Sequence, residues 1–69
     1  MDYEKKAQEM LDLKQYDEAI NILNEAIELQ PRKDEYYYLR GEAKHCLKEY
    51  EDAIIDYDIA IELSKNHSQ

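Results

Sequence analysis

The feature that most constrains the fold of this chain is an internal repeat with a period of 34 residues. Shifting the 69-residue sequence by 34 positions aligns 35 pairs, and ten of these pairs are identical. A composition this biased gives roughly three identities by chance. The identical pairs are Tyr3/Tyr37, Leu13/Leu47, Lys14/Lys48, Tyr16/Tyr50, Ala19/Ala53, Ile20/Ile54, Ala26/Ala60, Ile27/Ile61, Glu28/Glu62 and Leu29/Leu63. Such a period indicates two copies of one structural unit that bury a shared core by stacking.

Each copy has the hydrophobic periodicity of two α-helices. In the first copy, apolar side chains recur at intervals of three and four from about Asp2 to Leu13 and again from about Asp17 to Leu29. This is the spacing of one helix face. Lys14-Gln15 predicts the turn between the helices, and Pro31 ends the second one because the residue before a proline is pushed out of the helical region. The second copy repeats this layout as far as Leu63.

The predicted fold is therefore all-α, with two tandem helix-turn-helix repeats whose four antiparallel helices form a short right-handed solenoid. We expect a single domain over residues 1–69, with repeat one at 2–33, repeat two at 34–65 and a disordered tail at 66–69. Small residues at the helix contacts let the helices approach closely. Gly41 costs about 1 kcal/mol inside a helix, which predicts close contact with a neighbour. The small residues are Ala7, Ala19, Ala26, Gly41, Ala53 and Ala60.

The charge of the chain excludes several classes of partner. A net charge of -8 repels a phosphate backbone, so we expect no nucleic-acid binding. It also disfavours anionic membranes, and no apolar stretch approaches the ~20 residues that span a bilayer. The first residues lack the apolar segment of a signal peptide. Cys46 is the only cysteine and has no partner for a disulfide, which suits a reducing compartment. A soluble, cytoplasmic protein is expected.

No arrangement of residues predicts catalysis, a cofactor or a metal site. His45 and Cys46 are neighbours on a predicted helix and point in different directions, so they lack zinc-site spacing. Asp56 and Asp58 diverge on their helix and are expected to be solvated, since a calcium loop also needs a glycine turn. Cys46 is expected to be a semi-buried small apolar residue rather than a nucleophile. We therefore expect a protein that is not an enzyme.

The period and layout resemble the tetratricopeptide repeat (TPR) family over nearly the whole chain. The segments that carry the resemblance are Tyr16-Asp17-Glu18-Ala19-Ile20, Ala26-Ile27-Glu28-Leu29-Gln30-Pro31, Arg40-Gly41-Glu42-Ala43, Tyr50-Glu51-Asp52-Ala53-Ile54 and Ala60-Ile61-Glu62-Leu63. The chain departs from the pattern at a few positions. The turns carry lysines where the family often has glycine, Ala7 replaces a glycine, Lys44 lies where an aromatic is usual, and Lys65 replaces the closing proline.

This resemblance implies protein–protein binding, with the first helix of each repeat lining a concave groove for an extended peptide or a partner helix. Tyr38, Leu39 and Leu11 are expected to form an apolar anchor, and exposed tyrosines are frequent binding hot spots. The alternative is an ordinary solvated face with a partly buried tyrosine. By position, the groove residues are Glu4, Gln8, Leu11 and Asp12 from repeat one, and Tyr38, Leu39, Glu42 and His45 from repeat two.

One specialisation of the family can be excluded by position. The TPR clamp that grips the acidic C-terminal tails of heat-shock chaperones needs lysine and asparagine at defined groove positions. This chain has Glu4, Gln8 and Leu39 there, and it lacks the third repeat that completes the clamp. Carboxylates of the tail would meet a carboxylate of the groove, so we predict no binding to such tails.

The last helix is predicted to be apolar over most of its circumference. Ile55 and Ile59 replace Asn21 and Glu25, which the first repeat directs to solvent. Longer repeat arrays seal their last repeat with a polar-faced helix. The predicted self-association residues are Ile54, Ile55, Tyr57, Ile59 and Ile61.

Three explanations of this apolar helix remain open. The chain forms a homodimer, with or without exchanged helices; it is a fragment or a designed minimal version of a longer array; or the helix binds another protein. Homodimerisation is favoured because two repeats fall below the ~3 usually needed for stability. The alternative function is a self-assembling structural or designed scaffold with no dedicated ligand.

Overall fold

Four α-helices follow one another along residues 2–67, the part of the chain that this computed structural model describes. They are α1 (Tyr3–Asp12), α2 (Tyr16–Leu29), α3 (Asp34–Cys46) and α4 (Tyr50–His67). These residues contain no β-strand, so the predicted all-α class with two helix-turn-helix repeats is confirmed. None of the helices within them has both the length and the apolar content of a membrane span.

The helix ends follow from local sequence. The Asp2 side chain caps α1 by accepting a hydrogen bond of 3.1 Å from the backbone N–H of Lys5. Pro31 follows α2 closely and prevents its continuation. In the second repeat Lys65 occupies the position of that proline, so α4 continues through His67, two residues into the predicted tail. Residues 68–69 of that tail lie outside the described residues.

The turns that connect the two helices within each repeat have the same backbone geometry. Lys14 has φ 62° and Lys48 has φ 66°, both in the left-handed region. The N–H of Gln15 bonds to the carbonyl of Met10 at 2.8 Å, and that of Glu49 bonds to Lys44 at 2.9 Å. Bonds of this span define the Schellman ending of a helix, in which glycine usually occupies the left-handed position. Both turns therefore hold a lysine in a conformation that favours glycine.

We expect Lys14→Gly and Lys48→Gly each to raise the free energy of unfolding by about 0.5–1 kcal/mol. Glycine relieves roughly 1–2 kcal/mol of left-handed strain, and the greater freedom of the unfolded chain offsets part of that gain. Urea unfolding followed by circular dichroism measures the change. The matched control is Glu9→Gly at an exposed interior position of α1, which lowers the stability by about 1 kcal/mol. Equal effects at the three positions would contradict the strain that we assign to the turns.

The helices pack as two pairs, α1 with α2 and α3 with α4, and the pairs meet through α2 and α3. The six small residues predicted at helix contacts are all buried, which confirms their role. Tyr3, Tyr16 and Tyr37 are partly buried as expected, but the expectation that Tyr50 fills a gap is wrong. Its side chain is 51% exposed, because within residues 2–67 no helix packs on α4 as α3 packs on α2.

Helices α3 and α4 approach each other closely at Gly41. A Cβ atom built on Gly41 lies 2.9 Å from Cε1 of Tyr57 and 3.1 Å from the carbonyl oxygen of Ala53. Real Cβ atoms essentially never come within 3.0 Å of another heavy atom, and the second distance is tighter than nine in ten real Cβ contacts. The absent side chain thus makes room for the Tyr57 ring. In repeat one, Ala7 stands at the position of Gly41 and Leu23 at the position of Tyr57. The side chain on the first helix is therefore larger there, and the one opposite is smaller.

Candidate protein-interaction site

A cleft of about 410 Å³ lies between α1, α3 and α4. Tyr38, Leu39 and Ile61 give it an apolar floor, while Glu4 and Gln8 from α1 form part of its rim. Two acidic residues of the first turn of α3 complete the rim. The full set of lining residues is Glu4, Gln8, Asp34, Glu35, Tyr38, Leu39, Ala60, Ile61 and Ser64. An apolar floor with charged edges fits a peptide or a helix that carries an apolar anchor.

Four of the eight predicted groove residues lie in this cleft: Glu4, Gln8, Tyr38 and Leu39. The other four, Leu11, Asp12, Glu42 and His45, do not line it. Asp12 is exposed and accepts a hydrogen bond of 3.4 Å from the Gln8 amide. The His45 ring packs edge-on against Tyr50, with 5.2 Å between ring centroids.

Of the three side chains in the predicted apolar anchor, one is exposed in the structure. Leu11 and Leu39 are both buried in the core, with 8% and 6% of their surfaces exposed. Tyr38 is 55% exposed and packs against Tyr57, at 5.6 Å between ring centroids. Tyr38 is therefore the side chain of the predicted anchor that a partner can cover.

The contribution of α4 to the cleft was not predicted from the sequence. Ala60, Ile61 and Ser64 line it because the C-terminal half of α4 runs past Tyr38. The prediction assigned the groove to the first helix of each repeat alone. The identity of Ile61 with Ile27 is a sequence signal that marks this residue, since the repeat preserves an apolar side chain at a position that stays exposed on α4.

The outer surface of α4 carries exposed apolar side chains, but fewer than predicted and among exposed acidic residues. Of the five predicted self-association residues, Ile54, Ile55 and Ile61 are exposed by 57%, 56% and 53%. Tyr57 and Ile59 are partly buried. Tyr57 is turned towards Gly41 of α3, which explains why it contributes little to the outer surface. We call the three exposed isoleucines the open face of α4.

The expectation that Asp56 is solvated is wrong. Its side chain is buried, with 1% of the residue exposed, and it accepts two hydrogen bonds from the Arg40 guanidinium. These join Arg40 Nε to Oδ2 at 3.0 Å and Nη2 to Oδ1 at 2.8 Å. Lys44 Nζ lies 3.1 Å from the same Oδ2. A buried carboxylate needs such partners, and here α3 supplies both.

Arg40 also connects the two repeats. Its Nη1 donates a hydrogen bond of 2.8 Å to the side-chain oxygen of Asn24 on α2. The sequence contained a signal for this cluster, because the 34-residue shift places Lys44 and Asp56 opposite the apolar Met10 and Ile22. When an acidic and a basic residue both replace apolar residues of the other repeat, a buried ion pair is indicated. Met10 and Ile22 are themselves partly buried against the core.

Cys46 is exposed, which contradicts its predicted semi-buried position. It is the last residue of α3, and hydrogen bonding with its thiol, together with partial burial, raises the pKa of the Tyr16 hydroxyl. Burial, with a smaller contribution from the Glu42 charge, raises the pKa of Tyr57. Within residues 2–67, no three His, Cys, Asp or Glu side chains are grouped as metal ligands.

These features define a helical repeat protein that has an open cleft on one side and an open apolar face on its last helix. Comparison with known families gives the same class. The family profile described as "TPR repeat" matches residues 7–47, and the one described as "Tetratricopeptide repeat" matches residues 34–67. The chain belongs to the tetratricopeptide repeat family, whose members are generally non-catalytic protein-interaction modules.

Two curated rice proteins (Oryza sativa subsp. japonica) are similar to this chain. DnaJ protein P58IPK homolog B and DnaJ protein P58IPK homolog A are each 33% identical over 64 residues, which is 93% of this chain. The chain spans only 14% and 13% of their respective lengths. No solved structure matches the sequence.

Proposed function

We propose that this chain is a non-enzymatic module that binds a peptide or a partner helix in the cleft between α1, α3 and α4. The observation that carries the proposal is Tyr38, an aromatic side chain that is 55% exposed above a buried Leu39. Large aromatic residues held by a packed surface dominate the binding energy of many interfaces. The membership in an interaction family supports the same conclusion.

The charge of the rim favours a partner with basic side chains. Glu4, Asp34 and Glu35 surround the cleft, and the chain as a whole carries a net charge of -8. Complementary charge speeds association and rejects partners of the same sign. We therefore propose a ligand that places an apolar side chain on Tyr38 and lysine or arginine beside the rim. The acidic C-terminal tails of heat-shock chaperones have the opposite charge and are not expected to bind.

Selection from a random peptide library followed by calorimetry tests this proposal. We expect the selected peptides to contain an apolar residue flanked by basic ones, and Tyr38→Ala to weaken them about 30-fold, the effect of losing 2 kcal/mol at a hot spot. Tyr50→Ala is the matched control, because Tyr50 is 51% exposed but lies outside the cleft. Micromolar binding of an acidic C-terminal peptide, or equal losses from the two tyrosines, would contradict the proposal.

A second candidate function is self-association through α4, as a homodimer or a larger assembly. The open face of α4 supports it, since Ile54, Ile55 and Ile61 are each more than half exposed on one helix. Monomeric proteins rarely leave contiguous apolar surface uncovered. In this case the chain is a self-assembling scaffold, and no ligand of the cleft is needed. Light scattering over a concentration series separates the two functions. A chain that stays monomeric at every concentration rules out self-association and leaves only binding in the cleft.

A further inference from the structure

The exposed anchor of the cleft, Tyr38, packs against a second tyrosine that does not line the cleft. The rings of Tyr38 and Tyr57 are tilted by 50° to each other, with 5.6 Å between their centroids. Tilted aromatic pairs at this separation attract one another. Tyr57 is not among the residues that line the cleft. It therefore contacts the anchor without occupying the space where a ligand binds.

The two tyrosines differ in how firmly the rest of the structure holds them. Tyr57 is partly buried where α3 packs on α4, and its Cε1 atom lies 2.9 Å from a Cβ atom built on Gly41. Tyr38 is 55% exposed. An exposed side chain exchanges rapidly between rotamers unless a neighbour restrains it. The ring contact thus extends the order of the α3–α4 interface to the anchor of the cleft.

Repeat one shows that this fold can be built without the second tyrosine. At the positions of Gly41, Tyr57 and Tyr38 it carries three residues without a ring, which are Ala7, Leu23 and Glu4. Ala7 and Leu23 are both fully buried, so the first two helices pack closely with an alanine and a leucine. Glycine inside a helix costs stability relative to alanine. In return for that cost, repeat two places an aromatic ring beside its exposed tyrosine.

We propose that Tyr57 is a positioning residue for the cleft, which holds the Tyr38 ring in one orientation before a ligand binds, and that Gly41 makes room for it. This inference rests on the proposed binding of a ligand in the cleft and names a source of its affinity. A side chain that is ordered in the free protein loses less conformational freedom in the complex. The affinity of the cleft therefore depends on a residue that the ligand does not touch.

The side-chain scalar couplings of Tyr38, measured by NMR in the ligand-free chain, test the positioning directly. We expect a single χ1 rotamer in the unmodified chain and in Tyr57→Phe, which keeps the ring. The double variant Gly41→Ala with Tyr57→Leu is expected to average over rotamers, while its helices stay packed as in repeat one. A Tyr38 side chain that is equally ordered in the double variant, or already averaged in the unmodified chain, would overturn the proposal.

Calorimetry with a peptide selected on the unmodified chain measures the effect on affinity. We expect the double variant to bind this peptide roughly fivefold more weakly, the effect of having to immobilise one side chain on binding. Tyr57→Phe should bind it as tightly as the unmodified chain. When Tyr38→Ala is added, the double variant should cause no further loss, because Tyr57 acts through Tyr38. A loss that persists without Tyr38 would show a general structural role for Tyr57 and overturn the positioning role.

Tyr50→Leu is the matched control, because it makes the same substitution on the same helix. Tyr50 packs against His45 rather than Tyr38, so we expect both the Tyr38 couplings and the affinity to be unchanged. A loss of affinity equal to that of the double variant would count against the proposal. If no peptide can be selected at all, the proposed function of the cleft fails, whereas the couplings of Tyr38 still decide whether Tyr57 orders it.

Discussion

Asp56→Ala is expected to lower the free energy of unfolding by about 3 kcal/mol, because it leaves two cations without their buried carboxylate. The side chains of Arg40 and Lys44 are 19% and 20% exposed, so water can partly hydrate both cations after the carboxylate is removed. The expected loss of stability is therefore at the lower end of the range for a broken buried ion pair. A domain of this size rarely has more than roughly 3–5 kcal/mol of stability, so the variant is close to unfolding. Urea unfolding followed by circular dichroism measures the loss.

Asp58→Ala is the matched control, since Asp58 lies two residues along the same helix and is exposed. Its effect should stay within about 0.5 kcal/mol. Repeat one supplies a second test, because it carries Met10 and Ile22 at the positions of Lys44 and Asp56. The double variant Lys44→Met with Asp56→Ile is expected to recover only part of the stability, because it removes the unpaired lysine but still leaves Arg40 without its carboxylate. A loss below about 1 kcal/mol for Asp56→Ala would contradict the role that we assign to the cluster.

The second large effect is expected at Gly41, where Gly41→Leu should lower the free energy of unfolding by about 3 kcal/mol. A leucine in an interior helix position gains close to 1 kcal/mol over glycine in helix propensity. Here that gain is outweighed, because even the first atom of the side chain meets the Tyr57 ring at 2.9 Å and the Ala53 carbonyl at 3.1 Å. The two helices must separate to accept it. Urea unfolding measures the change.

The smaller variant Gly41→Ala tests the cause. We expect it to lose about 1 kcal/mol alone and to be neutral or stabilising when combined with Tyr57→Leu, because that pair restores Ala7 and Leu23 of repeat one. Additive effects of the two substitutions would show that the Tyr57 ring does not limit the space at Gly41. A stabilising Gly41→Ala in the unmodified chain would contradict the close approach of α3 and α4.

Most of the fold could be predicted from the sequence, because two independent patterns mark the same buried positions. These patterns are the 34-residue repeat and the helical spacing of the apolar residues. The burial of Ala7, Ala19 and Ala53 follows directly from their spacing. The prediction failed where a property depends on the opposite helix. The solvation of Asp56 is decided by Arg40 and Lys44, which lie 16 and 12 positions earlier, and no single-helix pattern contains that information.

The candidate site was predicted in part for a similar reason. Tyr38 could be found because its position on the first helix of repeat two fixes the direction of its side chain. The burial of Leu11 and Leu39 depends on how closely α1 and α3 pack, which the sequence does not report. Likewise, the exposure of Tyr50 depends on which helices lie beyond α4, whereas its identical counterpart Tyr16 is partly covered near Cys46.

The central feature of this structure is that two like units meet through α2 and α3, and one nuclear Overhauser spectrum of the chain in solution tests it. We expect contacts between the Arg40 and Asn24 side chains and between the Gly41 α-protons and the Tyr57 ring, together with helical chemical shifts over the four helices. Strand-like chemical shifts in either half, or the absence of any Arg40–Asn24 contact in the folded chain, would contradict it.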